Sequence, residues 1–245
     1  MRKVTIGIIT YNRLELSKQA IPNIISNIGD VDAEVIIWDN NSTDGTVTWL
    51  YELADSDKRI SVIPATKNIG VEAFNDISVI SEGEFLLKVD NDILVPNAFA
   101  EQLVDIYEYI DDEKLAYLGW DLKWKKDKTF ALRREGWHYF RPPNGRIEKY
   151  TPNIDVFICE KVHDYFMNGS CRLSKKDTFR KIGGHPKGIK YGADKLISKS
   201  AYDQGYSLGY VVTDEVCVHI GHTDTEEYRK FKDEELRKLG QLKDV

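Results

Sequence analysis

The stretch Phe85-Leu86-Leu87-Lys88-Val89-Asp90-Asn91-Asp92 joins an apolar run to a pair of acidic residues. The run lacks regular polar alternation, which is typical of a strand covered on both faces of a parallel sheet. Three similar runs precede it, at residues 4–9, 34–38 and 60–63, with helical apolar patterns between them. Their starts lie about 25 to 30 residues apart, which suits successive right-handed βαβ crossovers. The sequence therefore predicts a doubly wound, mostly parallel α/β sheet over the first hundred or so residues.

The rest of the chain extends this pattern less regularly. We expect a helix over 97–110 and a strand over 115–120, followed by a stretch without clear period up to residue 150. Beyond it, the pattern predicts a strand near Val156, a helix over 194–204, a strand pair around Val211 and Val218, and an amphipathic helix from about Thr225. No repeat or low-complexity linker divides the chain, so we predict a single domain over residues 1–245.

Composition excludes several classes of protein. An apolar content of 42% supports a folded core, and a mean hydropathy of -0.43 with no long apolar run argues against a membrane span. The net charge of -6 argues against a general nucleic-acid binder. Three widely separated cysteines and no visible secretion signal favour a reducing, cytoplasmic location.

Polar residues follow each predicted strand of the first half. In open α/β sheets, ligands bind beyond the carboxyl ends of the strands, so these polar segments are expected to line one site. Taken singly, each segment also suits a helix cap or a turn. The segments are Thr10-Tyr11-Asn12-Arg13, residues 39–45, Lys67-Asn68-Ile69-Gly70, and Asp90-Asn91-Asp92.

The pair Asp90 and Asp92 is the sharpest of these signals. Two carboxylates at one strand end repel each other unless a cation lies between them, and hard oxygen ligands suit Mn²⁺ or Mg²⁺. Such ions typically join a carboxylate to substrate phosphates. A solvated acidic turn is the alternative. Neither a P-loop nor a G-x-G-x-x-G pattern follows the first strand, which argues against P-loop NTPases and Rossmann dehydrogenases.

Together these segments resemble the nucleotide-sugar glycosyltransferases of the GT-A fold, most closely family two. The resemblance spans roughly residues 4 to 222, with Asp90-Asn91-Asp92 as the D-x-D motif. Each piece is degenerate, but their order along the chain is specific. The matching pieces are the four strand-end segments, Asn75, Asn168-Gly169-Ser170, residues 179–184, and Gly192-Ala193-Asp194 followed by Gly205-Tyr206.

The resemblance implies a role for each half of the domain. Residues 1–92 would bind the nucleotide sugar, 93–222 the acceptor, and 223–245 would form a C-terminal helix. The donor is expected to be UDP-linked, with Asp39 contacting the base. Asp92 would bind the metal directly, and Asp90 the ribose or a metal-bound water. The implied nucleotide-sugar contacts are Thr10, Tyr11, Asn12, Arg13, Asp39, Asn40, Ser42, Asn68, Gly70, Asn75, Asp90 and Asn91.

The same resemblance implies a single inverting displacement. Asp194 occupies the family's base position and would deprotonate the acceptor hydroxyl. Ala193 departs from the family pattern, in which this neighbour is usually acidic. Capping of the following helix is the alternative role of Asp194.

Two histidines are candidates to complete the metal site. Spacing to the following glycine favours His219, whereas the order Ile220-Gly221-His222 resembles a related GT-A family and favours His222. We leave this choice open. The other three histidines, His138, His163 and His185, are expected to be ordinary surface or packed residues.

The segment from Trp120 to Tyr150 combines aromatic and basic residues, with nine basic residues against four acidic ones. The predicted acceptor contacts are Trp120, Trp124, Trp137, Asn168 and Gly169. This composition suits an anionic acceptor, such as a phosphorylated glycan, a lipid-linked phosphate or a nucleic acid. A neutral sugar stacked on the aromatic rings is an alternative, and so is a solvated loop with no role in binding.

Two other classes of function stay open at this point. A sugar nucleotidyltransferase shares the α/β sheet and the acidic metal site, but usually carries a glycine-rich basic loop after its first strand, which this sequence lacks. A catalytically silent glycan-binding protein would keep the fold without needing the base.

Overall fold

The computed structural model describes residues 2–120, 122–126, 129–132, 145–159, 169–190 and 193–221, with residues 230, 233–234 and 236–238 near the C-terminus. The strands are β1 (Lys3–Thr10), β2 (Asp32–Asp39), β3 (Ile60–Pro64), β4 (Phe85–Asp90), β5 (Ile93–Leu94), β6 (Leu115–Trp120), β7 (Leu122–Lys126), β8 (Thr129–Leu132), β9 (Gly145–Thr151), β10 (Ile154–Cys159), β11 (Cys171–Lys175), β12 (Ser207–Val212) and β13 (Cys217–His219). The helices are α1 (Leu14–Ser26), α2 (Thr46–Ser56), α3 (Ala73–Ile80), α4 (Phe99–Ile110), α5 (Lys176–Lys181) and α6 (Ala193–Asp203).

A nine-stranded sheet in the order β3-β2-β1-β4-β11-β6-β12-β10-β9 forms the centre. The first four strands in this order are parallel. β11 runs antiparallel to both β4 and β6, β12 returns parallel to β6, and β10 runs antiparallel to both β12 and β9. All strands except β10 and β11 therefore run in one direction, which confirms the predicted mostly parallel, doubly wound sheet.

Apolar side chains pack on both faces of this sheet. Alternate residues of β4 point to opposite faces, so that Leu87 joins the core packed against α1 and α4, whereas Leu86 joins the core packed against α3, α5 and α6. Burial on both faces explains why β1, β2 and β4 contain continuous apolar runs, whereas the edge strand β3 is only partly buried. Lys88 and Arg172 lie on the face of Leu86, where a charged residue is unexpected.

A second, four-stranded sheet has the order β5-β13-β7-β8. β5 begins directly after Asp92, and β13 pairs with it so that His219 lies opposite Ile93. The two strands predicted around Val211 and Val218 are present as β12 and β13, but they do not pair with each other, because β12 belongs to the large sheet and β13 to the small one. β5 and β13 have two and three residues, which is too short to show a period.

The stretch of residues 120–150, expected to lack regular structure, also contains β7, β8 and β9. In β7 the sequence Leu122-Lys123-Trp124-Lys125 does alternate, and this alternation is the signal that could have identified the strand. Most of the predicted C-terminal helix, residues 223–245, lies outside the described residues.

Two sequence-based exclusions can be compared with the structure. Cys159, Cys171 and Cys217 are all described, are buried and form no disulfide, as expected. Within the described part of the chain, no helix is both long enough and apolar enough to cross a membrane.

Candidate active site

The loops after β1 and β2 are joined through the carboxylate of Asp39. Thr10 donates its hydroxyl to Oδ2 of Asp39 at 2.7 Å, and Ser42 donates its backbone N–H to Oδ1 at 2.7 Å and its hydroxyl to Oδ2 at 2.6 Å. Asp39 is fully buried. Its side chain therefore fixes the two strand ends together, and its contact with a nucleotide base stays a prediction.

The loop after β1 has an unusual backbone. Asn12 and Arg13 have φ values of 55° and 65°, and Asn41 in the facing loop has a φ of 66°. Non-glycine residues rarely adopt this region, and such strain is concentrated at functional sites. Asn12 is held by Ser42, which accepts its N–H at 2.7 Å, and by the N–H of Thr43, which donates to Oδ1 of Asn12 at 2.9 Å.

Asp44 connects this pair of loops to two helices. Its carboxylate accepts the N–H of Leu14 at the start of α1 at 2.9 Å and the N–H of Thr46 at the start of α2 at 3.1 Å. Partial burial acts to raise the pKa of Asp44, but the hydrogen bonds from Thr46 and Leu14 together outweigh it and lower that pKa below its usual value. The residue is thus kept as an anion that caps both helices.

Three of the predicted nucleotide contacts hold loops of the protein in place. Asn40 donates to the carbonyl oxygen of Gly70 at 3.1 Å, and Asn68 accepts the N–H of Gly70 at 2.8 Å. Asn75 both donates to the carbonyl oxygen of His185 at 2.9 Å and accepts its N–H at 2.8 Å. A direct contact of these amides with nucleotide stays a prediction. Tyr11, by contrast, is half exposed at the end of β1.

Asp92 is buried where the two sheets meet. Arg13 donates Nη1 to Oδ2 of Asp92 at 2.7 Å, and Nε2 of His219 lies 3.4 Å from the same oxygen. The N–H of Ile220 donates to the carbonyl oxygen of Asp92 at 2.9 Å, which continues the pairing of β5 with β13. A Cβ at Gly221 would come within 2.1 Å of Oδ2. His219 faces Asp92, whereas His222 lies outside the described residues, so which of the two histidines binds a metal stays a prediction.

Asp90 and Asn91 point to other partners. Lys88 forms an ion pair with Asp90 and donates to the carbonyl oxygen of Gly169 at 2.9 Å. The N–H of Asp90 donates to the carbonyl oxygen of Ser170 at 2.8 Å. Asn91 is buried and donates to the hydroxyl of Ser17 at 2.9 Å. The segment at Gly169 therefore lies directly beside the end of β4.

Asp194 is the second residue of α6, inside its first turn rather than at the preceding capping position. Its side chain is 36% exposed, and its Oδ1 lies 3.7 Å from Nη1 of Arg172. A Cβ at Gly169 would lie 2.2 Å from that same Oδ1. Gly169 thus lies between Asp194 and the Lys88–Asp90 ion pair.

Among the described residues, no group of three or more His, Cys, Asp or Glu side chains is arranged so that it could hold a metal ion. Asp92 and His219 nevertheless fit as two ligands of one ion, because ligand atoms 3.4 Å apart can both reach a small divalent cation at about 2.1 Å. Mg²⁺ and similar ions commonly take their remaining ligands from substrate oxygens and water. The donor set therefore suits a metal that binds together with a phosphate-bearing substrate.

The predicted acceptor residues are only partly described. Trp120 is 2% exposed and donates its indole N–H to the carbonyl oxygen of Glu215 at 2.6 Å, so it belongs to the core and offers no ring face to a sugar. We therefore leave Trp120 out of the proposed acceptor site. The side chains of Trp124 and Trp137, and residue Asn168, lie outside the described part of the chain.

Sequence reasoning missed three residues beneath this site, namely Lys88, Arg172 and His185. His185 was expected to be an ordinary surface or packed residue, and the structure shows it buried against Phe74 and Phe179. What the sequence did not reveal is that Arg172 Nη2 lies 2.9 Å from Nε2 of this histidine. The signal in the sequence was Lys88 inside the apolar run of β4, whereas Arg172 lies in a short strand that also contains Ser174 and Lys175.

A family model described as glycosyl transferase family 2 matches residues 5–183 of the chain. The chain belongs to this family. The match covers the strand-end loops, both acidic residues of the D-x-D sequence and Gly169, whereas Asp194 and His219 lie beyond it. The expectation of a glycosyltransferase is thereby confirmed at the level of the family. No curated protein matches the sequence.

Solved structures with the same fold include three glycosyltransferases. The mannosyltransferase PcManGT from Pyrobaculum calidifontis, in complex with GDP-Man and Mn²⁺, has a TM-score of 0.69 at 19% identity, over 100% of this chain and 66% of its own. S. aureus TarS 1-349, in complex with UDP-GlcNAc, has a TM-score of 0.62 at 18% identity, over 96% and 66%. GalNAc-T7, with UDP, GalNAc and Mn²⁺, has a TM-score of 0.70 at 12% identity, over 91% and 45%.

These structures confirm the predicted fold for the family 2 domain. The chain spans about two thirds of the length of the first two neighbours and less than half of the third.

Proposed function

We propose that this family 2 domain transfers a sugar from a UDP-linked donor to an acceptor hydroxyl, with inversion at the anomeric carbon. The observation that carries the proposal is an unbroken series of contacts along one edge of the sheet. Asp39 contacts Thr10 at the end of β1, Arg13 from the loop after β1 contacts Asp92, and Gly169 lies between the Lys88–Asp90 ion pair and Asp194. These contacts support a proposal in which the donor, the metal and the base occupy neighbouring positions along this edge.

The donor half of the proposal rests on the strand-end loops. Tyr11 presents an exposed ring at the end of β1, which suits stacking on a nucleobase. Asp90 is fixed by Lys88 and retains about a third of its side-chain surface for a ribose hydroxyl. UDP and GDP both occur in the neighbouring structures, and the proposed choice of UDP comes from the sequence pattern around Asp39.

Asp92 and His219 would hold Mn²⁺ or Mg²⁺ in the presence of the donor. Such an ion, when bound, supplies positive charge that offsets the charge developing on the leaving diphosphate. Arg13 already contacts Asp92 and lies in the loop after β1, so its guanidinium is close enough to this edge to contribute further positive charge there.

Asp194 would act as the general base. As the acceptor oxygen attacks the anomeric carbon, its O–H proton passes to a carboxylate oxygen of Asp194. The bond between the anomeric carbon and the diphosphate oxygen breaks in the same step, and the nucleoside diphosphate leaves with that electron pair. Attack from the face opposite the leaving group inverts the configuration. The acceptor itself is proposed only as a hydroxyl-bearing glycan or an anionic, lipid-linked or phosphorylated molecule.

A panel of UDP- and GDP-sugars incubated with the protein and Mn²⁺ tests this function. Release of nucleoside diphosphate from one donor, even with water as acceptor, supports the proposal. Pyrophosphate as the product would instead indicate a sugar nucleotidyltransferase. Tight donor binding without any product would indicate a catalytically silent glycan-binding protein, and either of these results contradicts the proposal.

A further inference from the structure

Two cations are buried beneath the candidate active site. Lys88 on β4 and Arg172 on β11 are register partners, and they are only 6% and 2% exposed. Charged side chains are almost never this buried unless they are paired. Lys88 is paired by Asp90 and by the carbonyl oxygen of Gly169. The surroundings of Arg172 therefore need an explanation of their own.

The guanidinium of Arg172 has neutral partners on two sides. Its Cζ atom lies 5.0 Å from the centre of the Tyr117 ring, and its Nη2 lies 2.9 Å from Nε2 of His185. Nη1 is fully buried and has no hydrogen-bond partner among the described residues. Buried donors are nearly always satisfied, so an exception of this kind calls for a specific reason.

The His185 ring adds no charge to this arrangement. Burial, followed by the positive charges of Arg172 and Lys88, lowers the pKa of His185 well below its usual value, so the ring is neutral at pH 7. A neutral ring that accepts a hydrogen bond from Arg172 at Nε2 carries its proton on Nδ1. Asn75 fixes the backbone of His185 from both its N–H and its carbonyl oxygen. Arg172 is thus held in place while its full charge is left for another partner.

The carboxylate that faces this charge is that of Asp194. Its Oδ1 lies 3.7 Å from Nη1 of Arg172, which is within ion-pair distance but just beyond hydrogen-bond distance. On its other side, Oδ1 lies against the backbone of Gly169. Catalytic hydrogen bonds are often long in ligand-free structures and shorten when substrate is bound. The contact is therefore suited to fix the direction in which Asp194 points.

We infer that Arg172, anchored by His185, is a positioning residue that holds the Asp194 carboxylate toward the acceptor hydroxyl. The inference rests on the proposed function, because it assigns Arg172 a part in the same transfer step. Arg172 does not touch the reacting atoms. It acts through Asp194, so its loss should slow turnover while leaving donor binding intact.

Four variants separate positioning from a purely structural role. Arg172→Met removes the charge, and Arg172→Lys keeps it with a shorter reach. The double variant Arg172→Met/His185→Phe replaces the buried polar pair by an apolar pair, an exchange that is often neutral or stabilising. Tyr117→Phe is the matched control, because it removes a buried hydroxyl with no hydrogen-bond partner among the described residues and leaves the ring beside Arg172 in place.

The measurements are kcat and KM for nucleoside diphosphate release from the nucleotide sugar that the wild type turns over fastest, together with Tm. We expect Arg172→Met and the double variant to lose about 10- to 100-fold in kcat, the cost of a misplaced catalytic group, with donor KM little changed. The kcat of Arg172→Lys should lie between the values of these two variants and that of the wild type. The kcat of Tyr117→Phe should equal the wild-type value. The Tm of the double variant should equal or exceed that of the wild type. The effect on kcat can therefore be measured in the double variant even if Arg172→Met does not fold.

A double variant with wild-type Tm and wild-type kcat would overturn the positioning role. An equal loss of kcat in Tyr117→Phe would overturn it as well, because the loss would then follow any change in this part of the core. If the wild type releases nucleoside diphosphate and the Arg172 variants do so equally fast, only this inference fails. If the wild type releases none from any donor, the proposed function fails and this inference fails with it.

Discussion

The backbone of Gly169 lies against the carboxylate of Asp194, so closely that a Cβ on this glycine would come within 2.2 Å of Oδ1. Gly221 has the same relationship to Asp92, with 2.1 Å between a hypothetical Cβ and Oδ2. Real Cβ atoms essentially never make contacts below 3.0 Å, so alanine at either glycine forces its carboxylate to move. Neither glycine has a positive φ, and the expected effect of each alanine is therefore steric. The two positions allow base and metal functions to be disturbed separately.

Gly169→Ala should reduce turnover with little effect on donor affinity. The added methyl group displaces Oδ1 of Asp194, and a shift of about 1 Å in a catalytic group can cost roughly 100-fold in rate. The check is kcat for nucleoside diphosphate release, measured beside the affinity for UDP with Mn²⁺. Unchanged kcat in a folded variant would show that the position of Asp194 does not matter for the reaction.

Gly221→Ala, by contrast, should reduce donor affinity. The methyl group collides with Oδ2 of Asp92 and approaches Cε1 of His219 to 3.0 Å, so the two proposed metal ligands are pushed out of place. We expect weaker Mn²⁺-dependent UDP binding, by about tenfold or more, which corresponds to about 1.4 kcal/mol. Calorimetry of UDP with Mn²⁺ measures this affinity. If Gly221→Ala binds UDP as the wild type does while Gly169→Ala binds it weakly, the assignment of the two carboxylates is reversed.

Asp194→Asn should abolish transfer and leave UDP binding nearly intact. The amide keeps the size of the side chain but cannot accept the hydroxyl proton, and loss of a general base costs about 100-fold or more. Asp203→Asn is the matched control, since Asp203 lies on the same helix, is exposed, and forms an ion pair with Lys199 at the surface. Turnover of Asp194→Asn within about threefold of the control would place the base elsewhere.

Burial of His185 should make stability depend on pH in a direction that can be calculated. Burial and the charge of Arg172 hold its pKa well below 6.5 in the folded state, whereas the unfolded chain takes up a proton near pH 6.5. The unfolded state therefore binds more protons below this pH, and the free energy of unfolding falls as pH falls. Between pH 7 and pH 5.5 this one residue accounts for a loss of about 1 kcal/mol.

His185→Phe tests this dependence. Phenylalanine can pack against Phe74 and Phe179, whose ring centres lie 5.5 Å and 5.6 Å from that of His185, and it does not titrate. Urea unfolding at pH 7 and pH 5.5 should show a smaller decrease in stability for the variant, by about 1 kcal/mol, because all other titrating groups are shared. Equal decreases in both proteins would mean that His185 takes up a proton as readily in the folded state as in the unfolded chain.

The sequence predicted the parallel half of the sheet well because burial on both faces leaves a strong apolar signal in each of its strands. The strand-end loops were also predictable, since a strand end in an open sheet places its polar residues at the ligand edge whatever the details of packing. The short strands β5 and β13 were not, because two or three residues carry no period. Yet these strands determine that His219 faces Asp92.

The buried cations could not have been predicted from the sequence alone. Lys88 lies inside an apolar run, where a charged residue is unexpected in a buried strand. The sequence does not show that Asp90 and the carbonyl oxygen of Gly169 pair with it. Arg172 and His185 are 13 positions apart along the chain, and only the pairing of β11 with β4 and β6 brings the guanidinium between the sheet and α6. Buried polar pairs depend on tertiary contacts, which leave no local pattern.

The central claim is that Asp92 binds a nucleotide diphosphate through a divalent metal at the strand ends, and calorimetry of UDP with Mn²⁺ or with EDTA tests it most directly. We expect the wild type to bind UDP at least about tenfold more weakly in EDTA, and Asp92→Asn to bind it weakly in both conditions. Asp55→Asn, at an exposed position on α2, should behave as the wild type. Equal wild-type affinity in Mn²⁺ and in EDTA, or full metal-dependent affinity in Asp92→Asn, would contradict the account.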